Sequence, residues 1–363
     1  MTKRTLIIST FFFACISVII LESCEKDPKV IEEPNKPYNL EYGKLPPPQI
    51  ANDNPLTEQG VQLGRMLFYE KMLSSNNLMS CASCHNQKTA FSDTNKFSVG
   101  VLGLLGGRQA MSVFNMAWSS NGFFWDGRAR LLRDQSLKPI QDPLEMHETL
   151  PSVIAKLQAS ELYKSQFKKV FGSEEINAEK MSKVMEQFMN SIVSYNSKYD
   201  DYLAGKTALT ATEERGRFLF FTEYNPSFPN ASGADCQHCH GGANFENDKY
   251  MNNGLDNDAN MTDIGRQEVT NNVADKAKFK VTSLRNVELT HPYMHDGRFG
   301  TLEEVVEHYN LVTNSSTLDG SFQQQLPNGG LQLSALDKTA LVAFLKTLTD
   351  TKLTNDLRYS NPF

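Results

Sequence analysis

Two pentapeptides, Cys81-Ala-Ser-Cys84-His85 and Cys236-Gln-His-Cys239-His240, use every cysteine beyond residue 24. No other feature constrains the chain as strongly. Both read C-x-x-C-H, a spacing that lets two thiols add across the vinyl groups of one haem while the adjacent histidine ligates iron from below. A zinc site is the competing reading of clustered Cys and His. The direct succession of Cys and His in both copies argues against it. A disulfide framework would use scattered, paired cysteines, and none is left over to build one. The chain is expected to carry two covalently bound haem c groups, attached through Cys81, Cys84, Cys236 and Cys239, with His85 and His240 as proximal ligands.

The flanks repeat as well. Leu56-Thr57 leads to Gly64-Arg65-Met66-Leu67-Phe68, and Leu209-Thr210 leads to Gly216-Arg217-Phe218-Leu219-Phe220. Thr57 and Thr210 read as helix N-caps. Apolar positions at helical period over 150–163, 178–199, 301–310 and 334–348 add further helices, and strand signals are sparse. The expected fold is all-α, with two tandem cytochrome c-like haem domains at 49–205 and 206–363. Gly-rich loops at 100–107 and 241–255 are expected to wrap the cofactors. Trp118 reads as a core aromatic.

The 363 residues suffice for two such domains, and the net charge of -6 without any Lys/Arg block excludes nucleic acid as a partner. A mean hydropathy of -0.42 and a single long apolar run exclude a polytopic membrane protein. That run, Leu6 to Leu21, follows Lys3 and Arg4 and has the length of an export signal. It ends in Leu21-Glu22-Ser23-Cys24, which is similar to a bacterial lipoprotein cleavage box. Residues 1–23 therefore read as a lipoprotein signal peptide and Cys24 as the lipidated residue. The rivals are a plain signal peptide or a retained membrane anchor. Residues 24–48, with prolines at 28, 34, 37, 46, 47 and 48, read as a disordered tether. The expected location is the periplasm or cell envelope, with membrane attachment by the lipid anchor only.

Between the haem motifs lie Phe124-Trp125-Asp126-Gly127-Arg128, Gln135, Pro139 and Glu145-Met146. After the second come Leu284-Arg285-Asn286-Val287, Thr290-His291-Pro292-Tyr293-Met294-His295-Asp296-Gly297 and Leu302-Glu303-Glu304. In order and spacing, from about residue 55 to 350, this series resembles the bacterial dihaem cytochrome c peroxidase and MauG family.

The resemblance implies a peroxidatic haem in the first domain and an electron-transfer haem in the second. Trp125 would be the relay between them. Glu145 matches the distal carboxylate and Gln135 the amide beside it. Peroxide cleavage needs one proton taken and one returned, which a single positioned carboxyl can do, while an amide can hold peroxide without titrating. The family also implies a calcium ion between the haems. Thr290 and Pro292 match its carbonyl ligands, and Gln109 stands where the family usually has Asn; a longer amide still offers oxygen to a hard cation. His147, His238, His291 and His295 read as structural or surface residues.

Two positions depart from the best-known peroxidases. Many carry a second histidine 16 residues after the first proximal one, blocking the iron until the other haem is reduced. The corresponding residue here is Val101, which cannot ligate iron, so the first haem is expected to stay open unless Met111, Met116 or Met146 caps it. The second haem's distal ligand, usually Met, corresponds to Tyr309, as in MauG. A phenolate favours ferric and higher states. His308 is the competing ligand, since neighbours on a helix point about 100 degrees apart, and Met294 is a third candidate.

The expected activity is reduction of H2O2 at the first haem, with a small cytochrome c or cupredoxin as electron donor. The alternatives are a MauG-like maturase that oxidises a protein substrate, and a non-enzymatic dihaem electron carrier. Dimers are common in the family, so a homodimer is an expected assembly.

Overall fold

The computed structural model describes residues 35–363. The expected signal peptide over residues 1–23 and the expected lipidation at Cys24 lie outside the described residues. The fold is helical, and its paired strands among the described residues are the short antiparallel Tyr250–Met251 and Phe279–Lys280.

The sequence repeat is a repeat of helix crossings. Thr57 caps the helix Glu58–Tyr69, its hydroxyl accepting from the Gly60 N–H. Thr210 caps Ala211–Phe221 in a reciprocal capping box with Glu213. The first helix packs on Ala178–Ser191 and the second on Ala335–Lys346. A Cβ at Gly64 would lie 1.9 Å from the Val184 carbonyl oxygen and 2.8 Å from the Phe188 Cβ. At Gly216 it would lie 1.9 Å from the Ala340 oxygen and 2.8 Å from the Phe344 Cβ. Only glycine permits either approach.

Around each crossing sits an apolar cluster. Leu67, Phe68, Phe91 and Phe188 belong to the first, and Leu219, Phe220, Phe245 and Phe344 to the second. The chain's end returns to the first cluster through Leu353 and Tyr359, and Arg65 Nε donates to the Ser360 carbonyl at 2.6 Å.

Two expected helices are each divided. The run 150–163 becomes Leu150–Gln158 and Glu161–Phe171, parted at Ser160, whose backbone is extended. The run 178–199 ends at Ser191, and a new helix, Lys198–Leu203, begins after Ser197. In the gap, backbone N–H groups find side chains instead of helix carbonyls: Ser194 donates to Asn115 Oδ1 at 2.8 Å, and Tyr195 and Asn196 to Asp350 Oδ2 at 3.0 Å.

Residues 35–48, read from sequence as part of a disordered tether, lie on the body. Tyr38 N–H donates to the Leu56 carbonyl at 3.0 Å, Asn35 Nδ2 to the Val170 carbonyl at 2.6 Å, and Leu45 is buried. Trp118, expected in the core, is half-buried; its indole donates to the Pro46 carbonyl at 2.8 Å and its ring meets Tyr42 edge-on. Prolines deprive this stretch of internal hydrogen bonds but leave its carbonyls and apolar side chains free to dock.

Candidate active site: two cavities lined by the Cys-His motifs

Each motif forms one turn of 3-10 helix, Cys81–Ser83 and Cys236–His238. The histidine then folds back, its N–H donating to the first cysteine's carbonyl at 2.9 Å in both copies. Each imidazole is held from behind. His85 Nδ1 lies 3.1 Å from the Phe91 carbonyl oxygen, and His240 Nδ1 lies 3.2 Å from that of Phe245 and 3.1 Å from that of Thr282. Phe91 and Phe245 both adopt left-handed backbone, φ 58° and 54°, which turns these carbonyls inward. A donor at Nδ1 leaves Nε2 with its lone pair, the arrangement a metal-ligating histidine needs. Burial holds both imidazoles below their usual pKa, His240 at about 4, so both stay neutral.

Two cavities adjoin these turns. One is lined by Cys81, Cys84 and His85, the other by Cys236, Cys239 and His240. Among the described residues no three His, Cys, Asp or Glu side chains converge as a structural zinc site would require. Burial pushes the Cys81, Cys236 and Cys239 thiols up to about 12. Paired thiols beside a neutral, rear-anchored histidine at an apolar cavity fit a covalently held haem.

Glu145 and Gln135 both line the first cavity. Gln135 sits on the short helix Leu132–Ser136, and Glu145 in a turn where its N–H donates to the Asp142 carbonyl at 3.0 Å. Burial pushes the Glu145 carboxyl up to about 7, the Asp142 carboxylate adds to the rise, and the Arg128 guanidinium opposes it. Val101 does not line the cavity; its N–H donates to the Glu145 carbonyl at 2.8 Å. Met111, Met116 and Met146 line it, and His85 is the only histidine that does so among the described residues.

Trp125 lines both cavities. Its indole donates to the Gln109 carbonyl at 2.8 Å, and its own carbonyl accepts from the Lys280 N–H at 2.7 Å. Sequence reasoning missed that its loop is itself repeated. Phe124-Trp125-Asp126-Gly127-Arg128 and Met294-His295-Asp296-Gly297-Arg298 share an isolated antiparallel bridge, left-handed first and fourth residues, and an Asp–Arg ion pair. The shared Asp-Gly-Arg was the available signal. His295 is therefore the counterpart of Trp125. The two rings meet edge-on at 6.5 Å, and His295 stacks on Phe279 at 3.7 Å. Beside them Arg108 bridges Asp126 and Asp263, and Asp263 lies 3.7 Å from His295 Nε2. His147, His238 and His291 are exposed, whereas His295 is buried.

Tyr309 lies near the end of the helix Leu302–Asn310 and lines the second cavity with His240. Its hydroxyl accepts from Asn253 Nδ2 at 3.2 Å, its ring stacks on Phe322, and burial pushes its pKa up to about 12. His308 does not line the cavity; its Nε2 is 3.2 Å from the Asn253 carbonyl oxygen. Met294 lines the same cavity. No motif marks Asn253, which holds both neighbours apart. Gln109, Thr290 and Pro292 all line the second cavity, and the Gln109 amide nitrogen donates to Ser92 Oγ at 3.2 Å and to the Asp93 carbonyl at 3.1 Å.

A helical fold with two such haem-binding turns defines a class, the dihaem c-type oxidoreductases. Residues 58–208 match the family model described as di-haem cytochrome c peroxidase. The chain is 35% identical to cytochrome c551 peroxidase of Nitrosomonas europaea, over 79% of each chain. It is 34% identical to methylamine utilization protein MauG of Methylorubrum extorquens, over 81% of this chain and 79% of that one. The crystal structure of a MauG-like protein associated with microbial copper homeostasis superposes with a TM-score of 0.81 at 33% identity, covering 90% of this chain and 99% of the other. The diheme peroxidase BthA of Burkholderia thailandensis, at 22% identity and TM-score 0.69, shares the fold. The chain belongs to the di-haem cytochrome c peroxidase and MauG family, and is an oxidoreductase of the cytochrome-c peroxidase type.

Proposed function

We propose that the chain reduces H2O2 to water in the first cavity, with electrons reaching it past Trp125 from the second. The observation that carries this reading is the Glu145 carboxyl, raised to about 7 in the cavity that also holds Gln135 and His85. When bound there, haem c supplies the iron and the redox equivalents for cleaving an O–O bond. The chain supplies proton handling and position. Glu145, in its carboxylate form, accepts a proton from the near oxygen of peroxide and returns it to the departing oxygen. The Gln135 amide orients peroxide without exchanging protons. Arg128 keeps the Glu145 pKa from rising further. His85, anchored through the Phe91 carbonyl, is held at one angle to the cavity.

In the second cavity His240 and Tyr309 would hold the haem iron, with Asn253 fixing the phenol and occupying His308. Gln109, Thr290 and Pro292 would hold calcium. The division of the body near residue 206 would be crossed at both ends, by Tyr199 in the second apolar cluster and by Leu353 and Tyr359 in the first, and periplasmic placement through Cys24 accords with the leader sequence. The electron donor would be a small cytochrome c or cupredoxin. A second reading, oxidation of a protein substrate as in MauG, is favoured by Tyr309 in the second cavity and by the MauG relatives. An electron carrier would have no use for a proton-poised Glu145.

The test is stopped-flow absorbance of the diferric, as-isolated holoprotein mixed with one equivalent of H2O2 without reductant. Rapid reaction supports a permanently open first site. Reaction only after addition of one electron would show that a ligand, such as one of the three methionines, gates it. No reaction in either state would overturn the peroxidase reading.

A further inference from the structure

The entrance to the first cavity carries an apolar surface that H2O2 does not need. Residues 98–106 form a hairpin: Gly106 N–H donates to the Ser98 carbonyl at 2.9 Å and Gly100 N–H to the Leu104 carbonyl at 2.8 Å, with left-handed Gly103 at its tip. Val99, Leu102, Leu104 and Leu105 on this hairpin are 48%, 54%, 47% and 57% exposed, and Leu144 beside it is 37% exposed. Single exposed leucines need no explanation, but five large apolar side chains on one short hairpin and its neighbour are a patch.

The patch is fastened to the candidate chemistry. A Cβ on Gly100 would come within 2.1 Å of the Leu144 carbonyl oxygen, so the hairpin rests directly on that peptide, and the next residue, Val101, donates to the Glu145 carbonyl. Val99 and Leu144 are exposed and also line the cavity. They therefore form its mouth. The polar Glu145 and Gln135 behind an apolar rim suit a substrate with a polar end and an apolar tail.

Resting on the peroxidase reading above, we infer that the first cavity takes organic hydroperoxides, ROOH, with the apolar R group seated against Val99, Leu102, Leu104, Leu105 and Leu144. Glu145 accepts the hydroperoxide proton and delivers it to the alkoxy oxygen as the O–O bond breaks, releasing ROH. The remaining oxygen leaves as water with two protons from solvent and two electrons from a one-electron redox protein.

The experiment measures second-order rate constants of the diferric holoprotein with H2O2, tert-butyl hydroperoxide and cumene hydroperoxide. It is paired with an absorbance titration by cumyl alcohol, the product, which needs no turnover. Cumene hydroperoxide should react at least as fast as H2O2, and cumyl alcohol should perturb the haem absorption saturably. In L102S/L104S/L105S the ratio of cumene hydroperoxide to H2O2 rate constants should fall about tenfold, the size expected from losing part of one apolar contact surface. Leu336→Ser, at a still more exposed leucine outside the hairpin, should leave the ratio where it was. Rapid reaction with H2O2 alone, with no response to cumyl alcohol, overturns this inference and leaves the peroxidase reading standing. An unchanged ratio in the triple variant, with a weakened response to the electron donor, would assign the hairpin to protein docking and also overturn it. Failure of all three peroxides with both the diferric and the one-electron-reduced holoprotein would overturn both readings.

Discussion

Glu145 shows how little chemistry a residue carries until its surroundings are set. The side chain is an ordinary carboxyl with an ordinary value of 4.5, and burial, reinforced by Asp142, moves it to about 7. The rate of peroxide consumption should therefore rise with pH through about 7 and level off above it, as the proton-accepting form takes over. Glu145→Gln should remove that limb and lower the rate by about 10²–10⁴-fold, measured as initial rates across pH 5–9. Because the folded-state pKa is raised, the same group favours folding at low pH, and that contribution is lost as pH rises from its ordinary value to about 7. Glu145→Gln should flatten that slope in thermal melts. The residue's identity was legible in the sequence through its place in the series. Its pKa was not, because burial by residues distant in sequence creates it. The same holds for Tyr309 and His308, adjacent in the chain but packed on Phe322 and Phe299 respectively and bound to different atoms of Asn253.

At the scale of elements, the two halves rest on a crossing in which a glycine admits a backbone carbonyl. Gly64→Ala and Gly216→Ala should each destabilise by about 2–3 kcal/mol, the usual cost of overpacking a tight contact, read as a lowered urea midpoint. The effect should be of similar size at both positions, since the distances to Val184 and Ala340 are the same. Helix starts were readable from Thr57 and Thr210, whose hydroxyls do locally what an N-cap does anywhere. The ends of the long helical runs were not. The backbone after Ser191 leaves the helix because Asn115 and Asp350, far away in sequence, offer its N–H groups equivalent acceptors.

For the molecule as a whole, the pairing of the cavities across Trp125 is the feature with the largest consequence. Trp125→Phe should leave the first spectral change with H2O2 in place and slow the subsequent change at the second haem, resolved by global analysis of stopped-flow spectra. The segment 35–48 is also a property of the whole, since it ties Val170, Leu56 and Trp118 together. Removing it from a chain that begins at Asn35 should cost about 2–4 kcal/mol, from lost burial of Leu45 and several backbone hydrogen bonds, measured by denaturant titration of the holoprotein.

The sequence alone determined what local spacing can encode: two Cys-His turns, two capped helices, and the ordered series of residues that marks the family. These depend on neighbours a few positions apart, and such relations survive in one dimension. The tertiary structure decided what depends on residues that meet only after folding. It raised the Glu145 carboxyl, set Tyr309 rather than His308 against the second cavity, docked a proline-rich stretch on the body, and brought His295 opposite Trp125. Burial and electrostatic environment arise from packing across the whole chain, so no short stretch of sequence contains them.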